Sequence, residues 1–315
     1  MKKLLLLCSV AALVSCTNSH RGKTWMYRLM DKFDGTQKEE VLSDEELLEK
    51  MGMPNVTELT MPDLNGSYEK CNKTGRKRLK FISKTLNDIT DDDVWIGKYG
   101  KGMKNCEEYA FTSGGNQASA ELRKIVPTVC NGLYRRYMDV YDDYSVIYYG
   151  RKIEYDNFGV DPTLILVTNN SVDTVMYAFD FSKFIVPSYD EYADISVSEV
   201  QIEDDVMYAS ISHPTYSESS NGYNAYLVAV DLRTQTLKWM TKPLTFNSSI
   251  LICSDVIFTG YGFTAEKDYV YMIDKETGDR IKSYLVDKAP SYFSVIDDKL
   301  YVRTYSLDYV FQIMN

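Results

Sequence analysis

The sequence predicts an all-β fold, a β-propeller of five or six four-stranded blades. Three observations predict it. From about residue 75 onward, short runs rich in Tyr, Val, Ile and Phe are set apart by Asp, Asn and Gly; Val146-Ile147-Tyr148-Tyr149, Thr163-Leu164-Ile165-Leu166-Val167 and Tyr269-Val270-Tyr271-Met272-Ile273 are examples. Such side chains suit a pleated, half-buried surface, and runs divided by turns read as strands. Secondly, an acidic turn leading into a strand recurs as Asp204-Asp205-Val206-Met207-Tyr208, Ser254-Asp255-Val256-Ile257-Phe258 and Asp297-Asp298-Lys299-Leu300-Tyr301, at steps of 50 and 43 residues. Thirdly, an aromatic strand follows each one, as Tyr226-Leu227-Val228-Ala229-Val230-Asp231, Tyr269-Val270-Tyr271-Met272-Ile273-Asp274 and Tyr309-Val310-Phe311-Gln312-Ile313, at steps of 43 and 40. A period of this length carrying strands alone is that of a propeller, one blade per repeat.

Earlier copies are expected in the same chain. Asp142-Asp143-Tyr144-Ser145-Val146 and Asp92-Asp93-Val94-Trp95-Ile96 read as further acidic-turn units, and Met176-Tyr177-Ala178-Phe179-Asp180 as a further aromatic strand. The last aromatic strand is the third of its blade, so the fourth must come from elsewhere, because an open edge invites aggregation. A segment within residues 60–85 is expected to supply it, with Arg76 to Ile82 as first candidate. The basic run Arg76-Lys77-Arg78-Leu79-Lys80 then reads as a strand with a solvated face.

The elements ahead of the propeller follow in order. Met1-Lys2-Lys3 is a positive start, and residues 4–14 are an apolar run of 11, too short to span a bilayer and right for a signal peptide. Leu13-Val14-Ser15-Cys16 resembles the bacterial lipobox, which implies cleavage before Cys16 and lipidation of its thiol. Several acyl chains on one residue anchor a protein stably. Residues 1–15 are thus expected to be a lipoprotein signal peptide, residues 16–58 a tether with a short helix, and residues 59–315 the propeller. The tether helix starts at Ser43-Asp44-Glu45-Glu46, a capping box. Leu47, Leu48 and Met51 follow on one side, and Gly52 and Pro54 stop it. Trp25, Leu29 and Phe33 recur every four residues, and packing on the main domain is the simpler use for them.

Charge and residue counts exclude several functions. The chain of 315 residues has a net charge of −10, and losing Lys2 and Lys3 with the signal moves it to −12. Such a protein repels phosphate, so no nucleic acid is expected as partner. Only His20 and His213 exist to build a His-based site. The stretch of residues 212–222 is polar, and His213 is expected there in a long exposed loop. Asp91-Asp92-Asp93 lacks the spaced ligands and Gly of a calcium loop. No CxxC occurs, so Cys71, Cys106, Cys130 and Cys253 are not expected to bind zinc; three full pairings are open to them, and Cys253 reads as a buried strand thiol. Most of the 26 Tyr fit strands, with the hydroxyl kept wet. Tyr223, Tyr261 and Phe263 stand beside Gly, read as loop aromatics and, with His213, form the candidate ligand loops.

One motif carries a family resemblance. Ala229-Val230-Asp231-Leu232-Arg233-Thr234-Gln235-Thr236-Leu237-Lys238-Trp239 resembles the A-x-D-x-x-T-G-x-x-x-W repeat of quinoprotein-like (PQQ-repeat) propellers, with Gln235 in the Gly position. Asp274-Lys275-Glu276-Thr277-Gly278 repeats its centre, with Lys282 in the Trp position, and Asn72-Lys73-Thr74-Gly75 is a weaker copy. The resemblance implies that Asp231, Thr234, Asp274, Thr277 and Gly278 form tight turns between third and fourth strands, and that Trp239 packs on the neighbouring blade. Together with the lipobox, the chain is similar to the propeller lipoprotein of the outer-membrane β-barrel assembly machine. That likeness implies a non-catalytic binding or scaffold module for envelope proteins, anchored through its lipid to the outer membrane. The periplasmic side is expected, because no acidic run follows Cys16; the cell surface is the other option. No cofactor, metal or catalytic residue is expected. The alternatives are a carbohydrate-binding lipoprotein of a glycan-utilisation system and, further off, a quinone-dependent dehydrogenase.

Overall fold

Among the described residues of the computed structural model, acidic turns and apolar strands together build four meanders of four strands each. The structure describes residues 42–62, 77–87, 92–100, 107–110, 126–151, 162–184 and 195–314, less residues 142, 173, 214 and 248. The chain divides into two units, Met1–Ser43 and Asp44–Asn315, and the second is described below. Cys16, Cys71, Cys106, His20, the Trp25 repeat and the Asn72 turn lie outside the described residues.

The second unit opens with α1 (Asp44–Lys50) and β1 (Thr57–Thr60), then β2 (Arg78–Leu86), α2 (Asp92–Tyr99), β3 (Glu107–Ala110) and β4 (Val129–Cys130). The first blade is β5 (Leu133–Val140), β6 (Tyr144–Gly150), β7 (Pro162–Asn169) and β8 (Thr174–Lys183). The second is β9 (Ser196–Glu203), β10 (Val206–Ser212), β11 (Tyr226–Asp231) and β12 (Thr236–Met240). The third is β13 (Leu251–Cys253), β14 (Val256–Tyr261), β15 (Asp268–Asp274) and β16 (Arg280–Val286). The fourth is β17 (Pro290–Ile296), β18 (Lys299–Thr304) and β19 (Leu307–Met314), with β2 as its outer strand. The first blade widens to seven strands, because β1 joins β8 in parallel while β3 and β4 join β5.

The blades stack because their inner strands bury both faces. Successive residues of β10 show it: Met207 and Ala209 join Val146, Tyr148 and Phe179 of the first blade, while Val206 and Tyr208 join Ile252, Ile257 and Ile273 of the third. On the far side of the third blade, Val256, Phe258 and Met272 meet Phe293, Leu300, Val302 and Phe311 of the fourth. Period-two alternation with both faces apolar produces the near-continuous hydrophobic runs seen in the sequence.

The fourth blade is completed as expected, by a strand from the N-terminal part of the chain. β2 runs antiparallel to β19, from Leu86 opposite Leu307 to Arg78 opposite Met314. Only Leu79 of β2 is buried, in the core between the third and fourth blades.

Two short helices dock on the blades: α2 lies on the outer face of the fourth, and α1 docks beside β4 and β8 of the first. The capping box yields α1 with Leu47 and Met51 buried, and Gly52 ends it at φ +65°. Asp44 accepts the N–H groups of Thr128 (2.6 Å) and Val129, and Val175 donates to the Met51 carbonyl (2.8 Å). Residues 44–58, read from sequence as part of the tether, therefore belong to the same compact unit as the blades.

The segment 92–96, expected as an early repeat strand, is instead part of α2. Three consecutive Asp residues suit a helix N-terminus, and the fourth blade supplies an aromatic seat. Trp95 is buried beside Tyr292, Tyr99 stacks on Tyr301 (4.4 Å), and the buried Arg303 pairs with Asp92. The segment 176–180 is also a strand, but it is the fourth of its blade; the third is β7. Among the described residues, no helix is long and apolar enough to cross a membrane.

Candidate functional site

The repeat turns and the long loops lie at opposite ends of the strands. At the turn end, one hydrogen bond is repeated in all four blades. The residue after the third strand donates its N–H to an Asp of the acidic turn: Asn170 to Asp143, Leu232 to Asp205, Lys275 to Asp255, and, within the last strand, Ile313 to Asp298. Asp204, Asp205, Ser254 and Asp297 hold positive φ there, which short polar side chains tolerate.

Between third and fourth strands, Asp231 Oδ1 accepts the N–H groups of Arg233 and Thr234, both at 2.9 Å. Asp274 Oδ1 does the same for Glu276 and Thr277. Gln235 (φ +54°) and Gly278 (φ +75°) occupy the matching left-handed position. The Trp239 side chain lies over Gly278 of the next blade, donates to the Lys275 carbonyl (3.2 Å) and stands 5.8 Å from the Tyr208 ring. Asp231 and Asp274 each close their own turn, and Trp239 against Gly278 and Lys275 joins the second blade to the third.

At the loop end, the second and third blades are clamped together. The β10–β11 connection carries a 3-10 turn, Ser217–Ser220, closed by Asn221 in the left-handed region. Glu266, in the β14–β15 connection, accepts the N–H and the hydroxyl of Ser217, both at 2.8 Å, through one carboxylate oxygen. Its other oxygen accepts the Tyr261 hydroxyl. Burial, and then this carboxylate, push the Tyr261 phenol well above its ordinary range.

Asn224, fully buried, secures both ends of the longer loop. Its Oδ1 accepts the N–H groups of His213 and Ala225 (both 2.7 Å), and its Nδ2 donates to the carbonyls of His213 (3.3 Å) and Thr215 (3.2 Å). Asn247 holds the shorter loop in the same way, pairing with both main-chain groups of Gly262. Asp268 and Ala289 crowd Gly262, so no side chain fits there.

This frame corrects two sequence expectations. His213 is not in an exposed loop: it directly follows β10, and only 4% of its surface is accessible, because Asn224 draws its backbone inward. Tyr261 is the last residue of β14 and is 2% exposed, not a loop aromatic. Phe263 is half-buried, between Tyr261 (6.1 Å) and Tyr216 (5.5 Å). Tyr223 is exposed (45%), and so is Tyr216 (45%) on the same loop. In sequence, Tyr216 follows Pro214 by two residues and precedes a Ser-rich stretch, a turn signal that marks it as a loop aromatic. Asn224 and Glu266 left no local signal.

The loop end therefore presents Tyr216 and Tyr223 over a braced base, with Phe263 between blades. Separately, a cavity of 300 Å³ at the first blade is lined by residues including Arg151, Thr163, Asp180 and Ser182; none of the candidate ligand-loop residues lies in it. Cys130 and Cys253 are both free thiols. Burial pushes the Cys130 thiol up to about 11. Among the described residues, no group of three or more His, Cys, Asp and Glu is placed to hold a metal.

No family model matches the chain, and no curated protein matches it. Among solved structures, it is similar to BamB from Moraxella catarrhalis, with 10% identity and a TM-score of 0.29, over 60% of this chain and 72% of that one. It is also similar to a chain of a mitotic checkpoint complex, with 7% identity and a TM-score of 0.34, over 59% of this chain and 62% of that one. The repeated four-stranded meanders, stacked face to face, identify the fold itself as an all-β propeller type.

Proposed function

We propose that the protein is a lipid-anchored, non-catalytic binding module of the bacterial envelope, and that its loop end between the second and third blades docks a protein partner. One observation carries this reading: two exposed tyrosines stand on one loop, which Glu266 ties across the blade boundary and Asn224 braces within its own blade. Rigid aromatic side chains held in place lose little entropy on binding, which is why they anchor interfaces.

The test places a photo-crosslinking amino acid at Tyr216 and, as control, at Asp298 on the turn end. A discrete adduct from Tyr216 that disappears in Tyr223→Ala is the expected result. Equal adducts from both positions, or none, would overturn it. Binding of a neutral oligosaccharide at the same tyrosines, in place of an adduct, would turn the reading to carbohydrate recognition. The anchor is tested separately, since Cys16→Ser should release the protein from membranes and abolish incorporation of labelled fatty acid.

A further inference from the structure

We propose that the free edge of β2 is a second docking surface, built to take an acidic, extended segment of a partner protein as an added strand. This goes beyond the loop-end reading and does not depend on it. β2 has nine residues and is the longest outer strand left open: β12 has five, β16 has seven, and β8 is covered by β1. Among the described residues, β2 pairs only with β19. Leu79 donates its N–H to the Tyr284 hydroxyl (2.8 Å), which closes off one end of the edge. Beyond it, Phe81 (55%), Ile82 (46%) and Leu86 (84%) are exposed. An edge with unpaired main-chain groups and exposed apolar side chains is a template for another strand.

Charge selects the occupant. The whole chain carries −10, yet residues 77–87 contain Lys77, Arg78, Lys80 and Lys84 and no acidic residue. Lys77 and Lys84 pair with Asp255 and Asp287 of the third blade and its exit. Arg78 and Lys80 are exposed and make no ion pair among the described residues. Two copies of β2 laid edge to edge would repel, so self-pairing is disfavoured. The same charges attract an acidic strand, so one feature both rejects a wrong partner and favours a right one.

The test uses the full chain and three fluorescent nine-residue peptides, matched in length to β2. One alternates Glu with Val, one alternates Lys with Val, and one alternates Glu with Pro and so cannot form a ladder. Binding is read by anisotropy. The Glu/Val peptide is expected to bind and to slow amide exchange in β2. The double variant Arg78→Glu/Lys80→Glu, with an unchanged melting profile, should weaken it by about tenfold and bind the Lys/Val peptide in its place. Failure of the Glu/Val peptide to bind, equal affinity in the double variant, or equal binding of the Glu/Pro peptide would each overturn the proposal. Tyr216→Ala should leave this binding unchanged, which separates the edge from the loop end.

Discussion

Gly278 has no room for a side chain. A Cβ there would stand 2.5 Å from Trp239 Cε3, and its φ of +75° is one that other residues adopt at a cost. Gly278→Ala is therefore expected to lower stability by about 2 kcal/mol, read as a lower urea midpoint at unchanged slope. An unaltered midpoint would show that the Trp239 contact between blades is dispensable. Asp231 gives a pH-dependent counterpart. The Thr234 N–H, followed by that of Arg233, holds its carboxyl below the usual range. A depressed folded pKa means that its contribution is present above the ordinary carboxylate value, about 4, and is lost as pH falls through the depressed value. Asp231→Ala should thus be less stable than wild type at pH 7, and the gap should close as pH falls below the ordinary carboxylate range. A gap that persists in acid would assign the effect to shape, not charge. Cys130 is 1% exposed and its thiol is shifted up, so it should resist alkylation at neutral pH until the protein unfolds, as mapped by mass spectrometry.

At the scale of elements, α2 and β2 secure the fourth blade from two sides. Trp95 is 3% exposed against Tyr292 and Tyr99. Trp95→Ala should cost about 3–5 kcal/mol and speed amide exchange in β17 and β18, next to the vacated face. Unchanged exchange there would mean that α2 does not cover that face. Deleting residues 16–90 removes α1, β1 and β2, opens the β19 edge and uncovers the Leu79 seat; the truncated chain is expected not to fold. These elements also show what the sequence could reveal. The strands of the last three blades and the closing strand were legible because alternation, acidic turns and the Asp-Thr-Gly motif are local patterns. α2 was not, because Asp92-Asp93-Val94-Trp95-Ile96 imitates the turn-and-strand unit; its seat among Tyr292, Tyr301 and Arg303 lies about two hundred residues away in the chain. The candidate site was legible only at Tyr223 and, in part, Phe263. Its bracing by Glu266 joins residues 49 apart, and no spacing rule encodes such a pair.

At the scale of the whole molecule, stability should grade from the middle blades outward. The second and third blades are each sandwiched between two others, with Tyr208, Tyr226, Ile257 and Phe258 at or near zero exposure. Among the described residues, the fourth blade has the third on one side and α2 on the other, and α1 docks beside the first. A helix of seven or eight residues is marginal by itself and stays folded only through its docking. Release of α2 uncovers Tyr292, Ser294 and Tyr301 of the fourth blade together, whereas loss of one side chain between middle blades uncovers no such patch. Local openings should therefore begin at α1 and α2, with free energies below that of global unfolding. Native-state amide exchange is expected to rank β10, β11 and β14 as slowest, β6 and β18 as intermediate, and the helices as fastest. Trp95→Ala should accelerate β18 while leaving β10 near its wild-type rate until global unfolding takes over. Uniform rates in all four blades would mean that the blades open only together. A reversed order, with the second blade fastest, would place the weak point at the clamped loops and remove the argument that the Glu266 bracing rigidifies the face.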